Sequence, residues 1–318
     1  MANYPQETTG SEEWTPKQQK QILAERLSML ASGDEKISFT HLPSDVVVAV
    51  PPKCGTTWVL HICHQIRTKG AEPDFDYQTD VVGWLEKGRD LLGIDPATLK
   101  QPAQPRIFFT HVYYPLVPKG GKHIYCFRDQ KDVLVSAYYF LDSNLILRGR
   151  VSLPNLTYAL LHSGFVEKRL KDLLIWWEHR HDEDMLLLFY DDLKEDHAGC
   201  VARIAKFMGV DCDKEDLARV VCTTTHADMV RYHRKFNMHK MVMSIAKEFG
   251  EDLELGDSHV GRVRKDGGRS GDGCRLPLEM REYIDRLWQE IVNAKLGFSS
   301  LKEMRETWHK ELHDGLGN

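Results

Sequence analysis

Lys53, Cys54, Gly55, Thr56 and Thr57 bring together an ammonium group, a glycine and two hydroxyls, directly after Pro51-Pro52 and before Trp58. An apolar run, Val46 to Val50, leads into them, and Trp58, Ile62 and Ile66 recur at helical spacing behind them. A strand-to-helix junction presents unpaired backbone N–H groups at the positive end of a helix dipole, a geometry that holds anions. Lysine adds a point charge, and glycine lets the backbone approach a ligand closely. The spacing therefore predicts a phosphate-bearing ligand, against the plainer reading of an ordinary turn. The common nucleoside-triphosphate loop carries its lysine after the last glycine. Here Lys53 precedes Gly55 by two residues and no lysine follows. Such a loop can cradle one phosphate but lacks the grip on a triphosphate and its magnesium.

Further candidates follow other apolar runs. Phe109-Thr110-His111 places a histidine past a strand end, where a pKa near neutrality suits a general base. It is one of fifteen histidines, most of which must serve surface or core roles. Arg128 with Ser136, about two helical turns later, suits a second phosphate, or Arg128 pairs with a nearby acid. Asp191 or Asp192 after Tyr190 could hold magnesium in an NTPase. Asp192-Leu193-Lys194-Glu195 also fits a capping box, and that reading is preferred. Gly261 to Gly273 is glycine-rich and basic, so Arg264 and Lys265 could clamp a phosphate unless the stretch is merely a solvated loop. His61 and His64 share a helical face without the glutamate of a His-Glu-x-x-His site, and His179 and His181 suit a helix end. No metal is expected.

The elements that must position these residues alternate. Strands are predicted over 46–50, 106–110, 122–127 and 185–190. Helices are predicted from Thr57, over 131–140 and 165–179, through Val201, Ile204, Ala205 and Met208, and from Met280 to Ile291. Thr15-Pro16 resembles a helix start, with Ile22, Leu23, Leu27 and Leu30 on one face, while residues 1–13 read as a flexible N-terminus. Residues 70–105 are punctuated by glycine and proline and read as irregular structure with short helices, of a kind that often forms a wall or lid. The pattern predicts one α/β domain over 1–318, with a central parallel sheet flanked by helices and ligands beyond the carboxyl ends of its strands.

Composition narrows the partners. The 318 residues are 42% hydrophobic and 28% charged, which is globular. A net charge of −5 argues against general nucleic-acid binding. Seven scattered cysteines without a Cys-x-x-Cys pair fit reduced thiols and a cytoplasmic location. Neither a signal peptide nor a membrane span is expected.

Taken together, these segments resemble the cytosolic sulfotransferase family, from about residue 40 to the final helices. Pro51-Pro52-Lys53-x-Gly55-Thr56-Thr57-Trp58 is similar to that family's 5′-phosphosulfate loop. Arg128-x-x-Lys131-Asp132-x-x-Val135-Ser136 resembles its 3′-phosphate segment, and Arg264-Lys265 with the following glycines resembles its last nucleotide motif. The resemblance implies sulfuryl transfer from 3′-phosphoadenosine-5′-phosphosulfate (PAPS) to a hydroxyl or amine of a small organic acceptor, without metal. It implies Lys53 on the donor's bridging oxygen and the amides of Cys54, Gly55, Thr56 and Thr57 on the 5′-phosphate. Trp58 would stack on adenine, and Arg128, Ser136, Arg264 and Lys265 would hold the 3′-phosphate. Gly267, Tyr190 and Thr224 would complete the nucleotide site. His111, with Lys53 and Ser136, would form the catalytic set, His111 taking the acceptor's proton. Three departures stand out. Phe109 occupies a position where many members have lysine. The final motif carries two extra residues and has Gly273 in place of tryptophan, and the short dimerisation signature is missing, leaving monomer or homodimer open. A magnesium-dependent ATP phosphotransferase and a non-catalytic nucleotide-binding member of the fold are the alternatives.

Overall fold

The computed structural model describes residue 25 and residues 36–143, 151–250, 263–264 and 270–315. The expected flexible stretch 1–13 and, apart from helical Glu25, the helix expected after Thr15 lie outside the described residues, as do Lys265 and Gly267. Five strands form one sheet: β1 (Val46–Ala49), β2 (Gly83–Trp84), β3 (Ile107–Thr110), β4 (Lys122–Phe127) and β5 (Met185–Phe189). Their order is β2-β3-β1-β4-β5 and every pairing is parallel. β1, β3 and β5 are buried along their whole length, as the continuous apolar runs require of a sheet covered on both faces. At its amino edge, Asp45 accepts from Arg106 Nε at 2.9 Å, which locks β1 against β3. The register then pairs Ala49 with Thr110, so Val50 and His111 leave the carboxyl edge side by side.

The two-residue β2 lies inside the stretch expected to be irregular. Two residues show no periodicity, and the strand exists because Gly83 packs on Phe108: a Cβ there would meet Phe108 Cδ1 at 2.7 Å.

The flanking helices are α1 (Thr56–Arg67), α2 (Gln130–Ser143), α3 (Leu153–His162), α4 (Phe165–Glu178), α5 (Tyr190–Glu195), α6 (His197–Met208), α7 (Lys214–Thr223), α8 (His226–Arg231), α9 (His239–Glu248), α10 (Leu278–Trp288) and α11 (Leu301–His313). The capping box expected at Asp192 is not formed. β5 runs directly into α5, whose cap position is Phe189, and Asp192 falls inside the first turn. Only 4% exposed, its carboxylate accepts from Arg305 and from His309 Nε2 at 2.8 Å, both on α11. Side-chain donors from a distant helix, rather than local backbone donors, claim this acid. The same pairing takes it away from the magnesium role.

Candidate active site

The loop from β1 to α1 is built on two left-handed residues, Lys53 (φ 71°) and Gly55 (φ 104°), and is closed by the Cys54 N–H donating to Pro51 O at 3.1 Å. Gly55 is the cap residue of α1. It supplies no side chain to the first-turn N–H groups, and no acid stands in that turn. The positive end of the helix therefore faces outward without a built-in counter-charge. Thr56 Oγ1 is buried with no hydrogen-bond partner within the chain. Glycine is also required sterically, because a Cβ at 55 would lie 3.0 Å from Tyr190 Cδ2.

Helix α2 gathers the basic groups. It starts where Asp129 Oδ1 accepts the Lys131 N–H at 2.7 Å. Asp132, Ser136 and the pair Tyr139-Phe140 follow one another at one-turn spacing and share a face. The Lys53 ammonium lies 4.1 Å from the Phe140 ring centroid, and the Arg264 guanidinium lies 4.4 Å from that of Tyr139. Asp132 accepts the N–H groups of Gly271 at 3.0 Å and Gly273 at 2.7 Å, which ties the C-terminal loop to α2. Ser136 thus stands between the groups that orient Lys53 and Arg264. Arg128 leaves β4 3% exposed, with its guanidinium 4.2 Å over the Tyr190 ring and Nη1 3.4 Å from Lys53 O. Its Nη2 lies 3.9 Å from Asp132 Oδ2, a loose pairing. Gly273, where the family motif has tryptophan, lies so near α2 that a Cβ would meet Lys131 Cβ at 2.4 Å.

Trp58, Tyr190 and Thr224 form a second cluster. Trp58 Nε1 donates to Thr224 O at 2.8 Å, and its ring lies 6.0 Å from Tyr190, edge to face. His197, which sequence reasoning missed, lies 5.5 Å from Trp58 and its Nε2 donates to Thr224 Oγ1 at 2.9 Å. Burial lowers its pKa and keeps it neutral. Its place, just past β5 and α5, was the available signal.

His111 is half-buried beyond β3. Its Nδ1 lies 2.7 Å from Val50 O. A carbonyl can only accept, so Nδ1 carries a proton, and in the neutral form of the ring the basic lone pair is on Nε2. The His111 N–H donates to Glu86 Oε1 at 2.7 Å, a second residue missed from sequence, since β2 just before it is too short to read. Burial raises the Glu86 pKa. Phe109 is fully buried and stacks on Trp84 at 5.3 Å, so no cation stands at that position.

The carboxyl edges of β1, β3, β4 and β5 therefore carry Lys53, His111, Arg128 and Tyr190, with Arg264 brought in by α2. Lys265 and Gly267 lie outside the described residues. The histidine pair on α1 is structural: His61 Nε2 donates to Thr223 O at 3.0 Å, and His64 Nδ1 accepts from Arg67 Nη2 at 2.9 Å. Among the described residues no group of three His, Cys, Asp or Glu side chains could hold a metal ion.

One edge of a parallel sheet thus gathers a strand-to-helix loop with a lysine, an arginine and a histidine, an arrangement of the kind found in group-transfer enzymes. Residues 43–307 match the model of the sulfotransferase domain family. An amine sulfotransferase of Oryctolagus cuniculus is 28% identical over 255 residues, covering 77% of this chain and 80% of the relative. Sulfotransferase 4A1 of Homo sapiens is 30% identical over 205 residues, covering 58% of this chain and 66% of its own length. Retinol dehydratase, solved in complex with androsterone and inactive cofactor PAP, shares the fold with a TM-score of 0.63 at 21% identity, over 84% of this chain and 85% of that one. The chain belongs to the sulfotransferase family. Its reaction class is accordingly PAPS-dependent sulfuryl transfer.

Proposed function

We propose that this chain is a cytoplasmic enzyme that moves a sulfuryl group from PAPS to a hydroxyl or amine of a small organic acceptor, with His111 as general base. One observation carries the reading. The Ala49–Thr110 register and the bond from His111 Nδ1 to Val50 O set a basic Nε2 beside the loop that begins at Pro51. PAPS supplies the sulfuryl group and a phosphate leaving group. The amides of Cys54 to Thr57 and the Thr56 hydroxyl bind the 5′-phosphate, and Lys53 stabilises the charge that develops on it. Arg128, Ser136 and Arg264, with Lys265 and Gly267, hold the 3′-phosphate, while Trp58, Tyr190 and Thr224 hold the adenosine. His111 takes the acceptor's proton. All seven cysteines are unpaired, which supports a reducing compartment.

Labelled PAPS with a panel of phenols, alcohols and amines should give labelled sulfate esters or sulfamates. His111→Ala and Lys53→Ala should each lower kcat by about 10²–10⁴-fold. Full activity in both variants would refute the assigned roles.

A further inference from the structure

His111 closes a group of three rings on one face of the sheet. Side chains two residues apart on a strand point the same way, and residues paired across strands stand side by side. Phe109 and His111 are two apart, and Trp84 of β2 pairs with Phe109 in register. The rings meet accordingly. Trp84 stacks on Phe109 with centroids 5.3 Å apart and an interplanar angle of 21°. His111 meets Trp84 at 5.9 Å and 74°, and Phe109 at 5.8 Å and 65°, both edge to face. Separations of this size belong to attractive aromatic pairs.

Hydrogen bonds fix the rest of this residue but not its ring plane. The Leu85 N–H donates to Phe109 O at 3.0 Å, and the His111 N–H donates to Glu86 Oε1 at 2.7 Å, so the main chain is held up to His111 itself. The bond from Nδ1 to Val50 O, at 2.7 Å, holds one ring atom. A ring held at one atom can still pivot, because the χ2 well of histidine is broad. Trp84 and Phe109 supply the missing constraint. They cannot turn away easily, since Phe109 is fully buried and Trp84 is 5% exposed. The constraint matters because a base must keep its lone pair within hydrogen-bond reach of the proton it takes.

We propose that Trp84 and Phe109 are positioning residues for the general base: their stack fixes the plane of the His111 ring, so that the Nε2 lone pair keeps one direction. This deepens the sulfotransferase reading, with His111 as base, and rests on it. It also gives the two-residue strand β2 a task, since that strand carries the outer ring of the stack.

The test compares full-length Trp84→Leu and Phe109→Leu with Trp84→Phe and Phe109→Tyr, which keep a ring, and with the unaltered chain. Values of kcat and KM are measured with labelled PAPS and a phenol, and PAP affinity by calorimetry. The His111 tautomer is read from ring-nitrogen NMR of the ligand-free protein, with the signal assigned by its loss in His111→Gln. The leucine variants should lower kcat about 10–100-fold while PAP affinity and the KM for PAPS change less than about twofold. In them the single Nδ1–H form of His111 should give way to a mixture of tautomers. Trp84→Phe and Phe109→Tyr should retain most of kcat and the single tautomer. Leucine variants that fold and keep both kcat and the Nδ1–H form overturn the proposal. So does a fall in kcat that PAP affinity shares in equal measure, or that the ring-bearing variants share. If Phe109→Leu does not fold, Trp84→Leu on the edge strand decides alone. Failure of both to fold would show the stack to be core packing and overturn the proposal. An unaltered chain that transfers no sulfuryl group sinks the transfer reading, and the tautomer measurement then decides this one by itself.

Discussion

Replacing Gly55 by alanine would put a Cβ 3.0 Å from Tyr190 Cδ2 on a backbone with φ 104°, a conformation that side chains resist. The variant should be destabilised by about 1–3 kcal/mol, read from urea unfolding. It should also lose PAP binding, because any relief of the contact moves Tyr190 away from Trp58 and Arg128. Unchanged PAP affinity would show that the loop conformation does not depend on this glycine. The residues of the proposed site were unequally visible in sequence. Lys53, Gly55, Arg128 and His111 stand at the ends of apolar runs, where a reader looks. Glu86 and His197 follow a strand and a helix too short to give periodicity.

At the scale of elements, α2 and the C-terminal loop behave as one unit. Asp132 holds two of the loop's N–H groups, and Arg264 donates to Asp272 at 3.1 Å within it. Gly273→Ala forces a Cβ to within 2.4 Å of Lys131 Cβ and 3.1 Å of its backbone carbon. Neither the helix backbone nor the loop can yield cheaply, so the loop should lift. Stability should fall by about 1–3 kcal/mol and PAP affinity with it, since Arg264 moves with the loop. Calorimetry of the variant with PAP checks this, and an unchanged affinity would separate Arg264 from the loop's anchorage. Sequence reading saw the basic pair in this stretch but not the packing that makes glycine obligatory at 273.

For the whole molecule, buried histidines set the response to acid. Burial holds His61 at about 4, and burial together with the Arg67 charge holds His64 at about 3. Unfolded, both take up protons near pH 6.5. The unfolded state thus binds more protons between about pH 6.5 and 4, and stability falls as pH falls through that window. Asp172, raised to about 7 by burial, opposes this, because the folded state holds its proton. Taken by themselves, these two histidines against Asp172 contribute a net loss of about 1.4 kcal/mol per pH unit. His41, His123 and His197, also lowered by burial, add to it, and Glu86 and Asp132, raised by burial, oppose it. Urea unfolding at several pH values should show it, and His61→Gln should flatten the slope. A slope unchanged by His61→Gln would mean that His61 titrates normally in the fold. By itself the sequence determined the strands β1, β3, β4 and β5, the parallel α/β class and the strand-to-helix loop after β1, because continuous apolar runs and local spacing encode them directly. Only the tertiary structure decided that Asp192 pairs with α11, that β2 exists, that Glu86 bonds the His111 N–H and that His197 packs beside Trp58. Those facts depend on which distant segments meet, and no local periodicity records that.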